Sequence, residues 1–219
     1  MESSESSTKR LLSLFNRASK EELSELFERH GVDNASDLVA EIRRDGSNSL
    51  TTWICRFGDG VNYDEVVMDV ASKVGVKYDL AEVADETEIE LLIVRDLVRK
   101  HFDSLSPEER VEFEKHLKQL GEEYTDFWRK FSEATGAALL ATVQLLGPRL
   151  IGQLLAAIMA KLLAVRGVAV AAPRLLGLAV PFLNVAMAVW LVIDIAGPAY
   201  RKTVPTVFQV ALLRLRHGQ

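Results

Sequence analysis

Residues 175–193 read LLGLAVPFLNVAMAVWLVI, nineteen consecutive residues without a charged side chain. As a helix, this stretch would be roughly 28 Å long, about the thickness of the hydrocarbon core of a bilayer. Two physical states satisfy such a stretch: it spans or enters a membrane, or it becomes the central helix of a bundle whose other helices cover it. The sequence therefore predicts a protein organised around a lipid-like surface.

The charges of the chain are divided between two regions. Residues 136–219 contain eight Lys and Arg against one acid, Asp194, and carry +7. Because the whole chain is −5, residues 1–135 carry −12. We expect the acidic region to neutralise or mask the basic region in the resting protein, since opposite charges attract strongly where they are partly buried.

Helix signals recur along the whole acidic region. Ser19 and Glu22 form a capping box, and so do Ser106 and Glu109, with Pro107 at the first helical position. A long helix is predicted to begin at Ser106, with apolar residues at steps of three and four (Phe113, Leu117, Leu120, Tyr124, Phe127 and Phe131). Further helices are predicted near residues 8–15, 36–46, 50–57, 66–74, 86–103, 134–146, 149–165, 174–195 and 203–216, with a linker at 76–80.

These signals predict an all-α protein in which an acidic multi-helix domain is followed by an apolar helical hairpin region. Residues 1–7 are expected to be a disordered tail, residues 8–133 the acidic helical domain, and residues 134–219 a hydrophobic and basic region that associates with membranes. The N-terminus lacks the pattern of a secretory signal, so we expect synthesis to end in the cytoplasm.

No pattern in the chain indicates catalysis. The four histidines lie far apart without zinc-ligand spacing, and residues 58–60 lack the Lys and Ser or Thr of a phosphate loop and predict a turn with positive φ. Cys55 is expected to be a small core residue. The basic residues are too dispersed for nucleic acid. We therefore expect no enzyme activity, no cofactor and no metal.

The expected membrane contacts come from the uncharged stretch and its flanks. Arg174, Arg201 and Lys202 are the predicted headgroup contacts, because their long side chains can reach the interface. Asp194 closes the stretch and is a candidate switch, which we expect to pair with a nearby cation or to have a raised pKa. The predicted lipid-facing residues are Leu175, Leu178, Val180, Phe182, Leu183, Met187, Ala188, Trp190, Leu191 and Ile193.

The segment from Gly197 to Ala211 (GPAYRKTVPTVFQVA) resembles the pattern that closes the bacterial YaaW family, and the central segments at 63–73, 88–90 and 105–113 are similar to that family in the same order. The resemblance implies a relationship to a group that includes ubiquinol-cytochrome c assembly chaperones, and it brings no catalytic residues. Its motif positions are Tyr200, Arg201, Thr203, Pro205 and Gln209. Structurally, we expect Thr203 to cap a helix, Pro205 to lie in its first turn, and Tyr200 to anchor the preceding turn.

Together, these features predict a membrane-associating helical protein at the inner face of the cytoplasmic membrane, with anionic lipids as partners. Conditional insertion that permeabilises the bilayer, and homo-oligomerisation on the membrane, are left open. The alternative is a soluble helical chaperone or scaffold whose groove binds an apolar client helix.

Overall fold

The computed structural model describes residues 2–47, 60–79, 85–134, 136–146, 151 and 200–217, and regular structure in these ranges is entirely helical. The predicted all-α class is therefore confirmed. The predicted helices near 50–57, 149–165 and 174–195 lie outside the described residues, apart from Ile151, which is helical. The helices are α1 (Glu2–Arg17), α2 (Lys20–His30), α3 (Ala35–Ser47), α4 (Tyr63–Val74), α5 (Glu86–Asp103), α6 (Pro107–Leu120), α7 (Glu122–Glu133), α8 (Gly136–Leu146) and α9 (Tyr200–His217).

Local signals set several helix ends. Both capping boxes form, at Ser19 before α2 and at Ser106 before α6. Gly31 and Gly75 end α2 and α4 in the left-handed conformation, which a residue without Cβ adopts at little cost. Residues 76–79 are irregular, in agreement with the predicted linker.

Two predicted boundaries are wrong. The first residues are not a disordered tail, because α1 begins at Glu2; the Ser7 side chain is buried, and its hydroxyl donates to Asp64 at the start of α4 (3.0 Å). The predicted long helix from Ser106 is two helices. Gly121, at φ 138°, lies between α6 and α7 in a conformation outside the helical region, so the chain turns there.

Helices α4, α5 and α9 form the centre of the molecule. Helix α4 lies parallel to α5, since the ammonium group of Lys100 near the end of α5 donates to the carbonyl of Val74 at the end of α4. Helix α9 runs in the opposite direction. Its first residue contacts Asp69 in the last turns of α4, and Arg214 near its end contacts Glu86 at the start of α5. Helices α1, α2 and α3 also pack against α9.

A glycine sets the distance between α3 and α4. Gly46, predicted to stop α3, lies inside that helix and is buried. A Cβ there would lie 2.5 Å from Cγ2 of Val66, so no larger residue fits without moving α4. The predicted positive φ at the following turn is confirmed for Gly60 (φ 76°).

Helices α6, α7 and α8 form an outer layer. Phe102 of α5, Phe113 of α6 and Trp128 of α7 pack together with ring centroids 5.1 to 5.5 Å apart. Leu139 and Val143 of α8 are buried, and α8 packs against α5 and α7. Because both α8 and α9 contact α5, the helices on either side of residues 152–199 belong to one bundle.

Candidate functional site: the buried C-terminal helix

Helix α9 is the most enclosed helix of the described chain. Every residue from Thr203 to Leu215 is buried, polar residues included. A helix buried on all sides must find a partner for each polar side chain, because an unpaired buried polar group costs roughly 1–3 kcal/mol. The hydrogen-bond and ion-pair partners of the polar residues of α9 therefore show which helices it packs against.

The predicted motif residues lie on this helix, but two of them have other positions than expected. Thr203 lies within the helix and is not its cap, because the chain is already helical at Tyr200. Pro205 also lies in the interior, where it has no N–H to donate to the carbonyl of Arg201. Both expectations assumed that the helix begins at Thr203, whereas it begins three residues earlier, at Tyr200.

The first turn of α9 contacts α3 and α4. The hydroxyl of Tyr200 donates to Asp69 (3.3 Å), and the ammonium group of Lys73 lies 4.9 Å from the centre of the Tyr200 ring. The ammonium group of Lys202 lies 3.6 Å from the carboxylate of Asp45. Arg201 and Lys202 are both exposed. Contacts of Tyr200 and Lys202 therefore hold this turn against α3 and α4, and the side chains of Arg201 and Lys202 remain accessible to solvent.

One turn further, α9 meets a histidine of α2. The side chain of His30 is buried; Nε2 lies 2.8 Å from the hydroxyl of Thr206, and Nδ1 lies 2.9 Å from the carboxylate of Asp45. The Thr206 hydroxyl donates to the carbonyl of Lys202 (2.8 Å). Burial opposes ionisation of Asp45, but the hydrogen bond to His30 and the charge of Lys202 outweigh it and lower the Asp45 pKa. This group joins α2, α3 and α9.

Gln209 connects the middle of α9 to α2. Its side-chain amide donates to Glu25 (2.6 Å) and its carbonyl accepts from Arg29 (2.5 Å), so both ends of the amide are satisfied. Glu25 and Arg29 also form an ion pair across one helical turn. Burial raises the pKa of Glu25 and lowers that of Arg29. The amide suits this position because one end donates to the carboxylate and the other end accepts from the guanidinium.

The last turns of α9 carry a buried arginine. The guanidinium of Arg214 donates from Nη2 to Glu86 (3.2 Å), and its Nε lies 2.9 Å from Glu90. All three side chains are at most 2 % exposed. Arg216 continues the contacts, with its Nε 3.0 Å from Glu22 of α2.

These pairs bring the two charge regions of the chain together. Lys202, Arg214 and Arg216 come from the basic region, and each pairs with an acid of the acidic region. Three of the four Lys and Arg residues of α9 are thus paired with acids, whereas Arg201 is exposed. Masking of the basic region as a whole stays a prediction. The helix belongs structurally with residues 2–103, although the predicted boundary at residue 134 groups it with the apolar region.

The remaining predicted site residues lie outside the described residues. They are Arg174, Asp194 and the lipid-facing set of Leu175, Leu178, Val180, Phe182, Leu183, Met187, Ala188, Trp190, Leu191 and Ile193. In the ranges that the structure does describe, no helix has the length and hydropathy needed to cross a bilayer.

Sequence analysis missed the acidic partners of α9. Glu86 and Glu90 are spaced i, i+4 at the start of α5, where the apolar run from Leu91 to Val94 follows, and Arg214 lies among leucines. A charged residue inside an apolar helical face is a signal for a buried ion pair. The identity of its partner is a tertiary property that helical periodicity does not contain.

The chain is similar to a curated bacterial protein. The chain is 31 % identical over 203 residues to a UPF0174 protein of Helicobacter pylori strain J99, a match that covers 88 % of this chain and 77 % of the relative. No family profile and no solved structure matches the chain. The resemblance to the YaaW family and to ubiquinol-cytochrome c chaperones stays a prediction. The extent of the match to the Helicobacter protein shows that the chain belongs to the UPF0174 family.

Proposed function

We propose that this protein associates with membranes through residues 152–199, and that the helical bundle stays on one face of the bilayer as the base of an apolar helical hairpin. The observation that supports the proposal most is the position of the flanking helices. Helices α8 and α9 both pack against α5, so the apolar segment leaves and re-enters the same bundle. A segment with both ends on one bundle crosses a bilayer an even number of times or enters only one leaflet.

The length of the segment and the cations that follow it suit a hairpin. Residues 152–199 would form roughly 70 Å of helix, enough for two passages of about 30 Å. Arg201 and Lys202 are exposed where α9 begins, immediately after the segment. Their cationic side chains can bind anionic lipid headgroups at the membrane surface.

This function requires no catalytic group, and we assign no enzyme activity, metal or cofactor to the protein. Its proposed location is the inner face of the cytoplasmic membrane, with anionic lipids as partners. Conditional insertion with permeabilisation is part of the same proposal, with Asp194 as the candidate trigger, because a neutral carboxyl enters lipid at much lower cost than a carboxylate.

Cell fractionation with a carbonate wash tests membrane association. Wild-type protein should stay in the membrane pellet. Ala188→Arg should shift the insertion equilibrium about 100-fold away from the membrane and so lower recovery steeply, since a charge at the centre of an inserted helix costs about 2.5–3.5 kcal/mol. Val111→Arg is the matched control, because Val111 is 67 % exposed on α6. A folded Ala188→Arg protein that partitions like the wild type would contradict the proposal and favour a soluble scaffold for an apolar client.

Cysteine labelling tests the topology. The chain has one cysteine, Cys55, so a Cys55→Ser background accepts single probes at Val111 and Arg201. Both probes should react with a membrane-impermeant maleimide in inverted vesicles and be protected in intact cells. Labelling of the two probes from opposite sides would show an odd number of crossings and overturn the hairpin.

A further inference from the structure

A cluster of five polar side chains lies where α1, α4, α5 and α9 meet. It consists of Arg10, Tyr63, Glu86, Glu90 and Arg214, and we name it the Arg214 cluster. Glu86, Glu90, Tyr63 and Arg214 are buried, and Arg10 closes the cluster from the side of α1 with a side chain that is 37 % exposed. The packing of four helices therefore depends on the interactions within this one cluster.

The two carboxylates of the cluster are not equally satisfied. Glu86 accepts from Nε of Arg10 (3.0 Å) and from Nη2 of Arg214 (3.2 Å), and it also forms an ion pair with Nη2 of Arg10. Glu90 accepts from Nε of Arg214 through Oε1 (3.2 Å). Its Oε2 lies near the same nitrogen but has no hydrogen-bond partner. The Glu86 carboxylate thus pairs with two guanidinium groups, those of Arg10 and Arg214, and the Glu90 carboxylate pairs with Arg214 alone.

Tyr63 supplies a second unsatisfied atom. Its hydroxyl is buried without a hydrogen-bond partner, and Arg214 lies 6.0 Å from the centre of its ring. The hydroxyl and the Glu90 carboxyl are close enough for each to influence the pKa of the other. Burial and the neighbouring Glu86 carboxylate raise the Glu90 pKa, whereas Arg214 lowers it, as does the neutral Tyr63 hydroxyl, which can donate to an ionised Glu90.

We propose that the Arg214 cluster is a proton-sensitive latch that holds α9 in the bundle, with Glu90 as the group that binds the proton. The latch closes when Glu90 is protonated, and departure of α9 returns the carboxylate to water and releases the proton. This inference goes beyond the proposed function and does not rest on it, since it concerns the bundle alone.

The pKa of Glu90 supports this direction. Burial raises it to about 7, and the attraction of Arg214 offsets only part of that effect. The groups that face Glu90 are Tyr63 from α4, Glu86 from α5 and Arg214 from α9, while Arg10 from α1 contacts Glu86. Burial also raises the pKa of Tyr63 well above its ordinary value, so Tyr63 stays neutral across this range.

The sign of the pH effect follows from linkage. Released Glu90 has an ordinary pKa of 4.5, so the closed state binds more protons than the released state between about pH 4.5 and pH 7. The latch is therefore strongest below this window and weakens as the pH rises through it. Between pH 7.5 and pH 5.5, one such group shifts the equilibrium about 20-fold toward the closed state.

Two measurements on the full-length protein in a non-ionic detergent test the latch. The first is denaturant unfolding of wild type and Glu90→Gln at pH 7.5 and pH 5.5. The folded-to-unfolded ratio of wild type should gain about 20-fold more on acidification than that of Glu90→Gln, whose amide keeps the shape of the neutral acid. Glu114→Gln is the control, because Glu114 is exposed on α6, and it should follow the wild type.

The second measurement needs no variant of Glu90 and holds if Glu90→Gln fails to fold. Carbon NMR of the glutamate carboxyls in wild type should show one group that titrates near pH 7, and Arg214→Lys should move its midpoint. A Glu90→Gln protein with the pH dependence of wild type, or a wild-type spectrum in which every glutamate carboxyl titrates in the ordinary range, would overturn the latch.

Discussion

Helices α6 and α9 are comparable in length but are held in place by different forces. Helix α6 has a capping box and a proline at its first position, so its start is set by residues close to it in the sequence. Its outer face is mostly exposed. Helix α9 is buried from Thr203 to Leu215, contains an internal proline, and is held by ion pairs and hydrogen bonds to helices more than 100 residues away. The stability of the bundle should therefore depend far more on α9 than on α6.

The largest effect is expected from removing the buried guanidinium. Arg214→Met leaves Glu86 and Glu90 without their shared cation, so we expect the free energy of unfolding to fall by about 3–5 kcal/mol at pH 7.5. Denaturant unfolding followed by circular dichroism measures it. The matched exposed pair is Arg129 with Asp126 on α7, and Arg129→Met should leave the unfolding midpoint unchanged. If the two variants lost equal free energy of unfolding, the claim that stability depends more on the inner helix α9 than on the outer helices would be wrong.

The next effect is loss of apolar packing. Leu212 is 2 % exposed on α9, and Leu212→Ala should cost about 2–5 kcal/mol because it leaves a cavity at the centre of the bundle. Val111→Ala on α6 should stay within about 0.5 kcal/mol. The same unfolding experiment compares them, and a Leu212→Ala protein as stable as Val111→Ala would mean that α9 is not in the core.

A smaller effect is expected where α6 depends on local signals. Ser106→Ala removes the capping side chain and should lower the free energy of unfolding by about 1 kcal/mol. Ser24→Ala, at an exposed position inside α2, is the control and should have no measurable effect. If Ser106→Ala proved as damaging as Leu212→Ala, local capping would be as important as tertiary burial.

The smallest effect concerns Asp45 in acid. Its pKa is lowered in the folded state, so its contribution to stability is present above its ordinary value of 3.8 and is lost as the pH falls through the lower, folded value. Asp45→Asn should therefore weaken the acid dependence of the unfolding midpoint below about pH 4. An acid limb identical to that of wild type would show that His30 and Lys202 do not hold this carboxylate.

The same contrast explains how much the sequence could predict. The bounds of α5, the end of α4, and the starts of α2 and α6 were predictable because caps and apolar periodicity are local. The break at Gly121 was missed because the apolar period continues across it, and a single glycine is also tolerated inside helices. The surroundings of α9 were missed because its basic residues suit lipid headgroups and buried carboxylates equally well. Only the fold shows that Glu86 and Glu90 face Arg214.

Hydrogen exchange of the amides of α9 tests the central claim most directly. If α9 is the inner helix of the bundle and stays there on membranes, its amides from Val204 to Leu215 should exchange as slowly as those of α5. They should do so both in detergent and on vesicles that contain anionic lipid. Exchange of α9 that is much faster than that of α5, in either condition, would contradict the account.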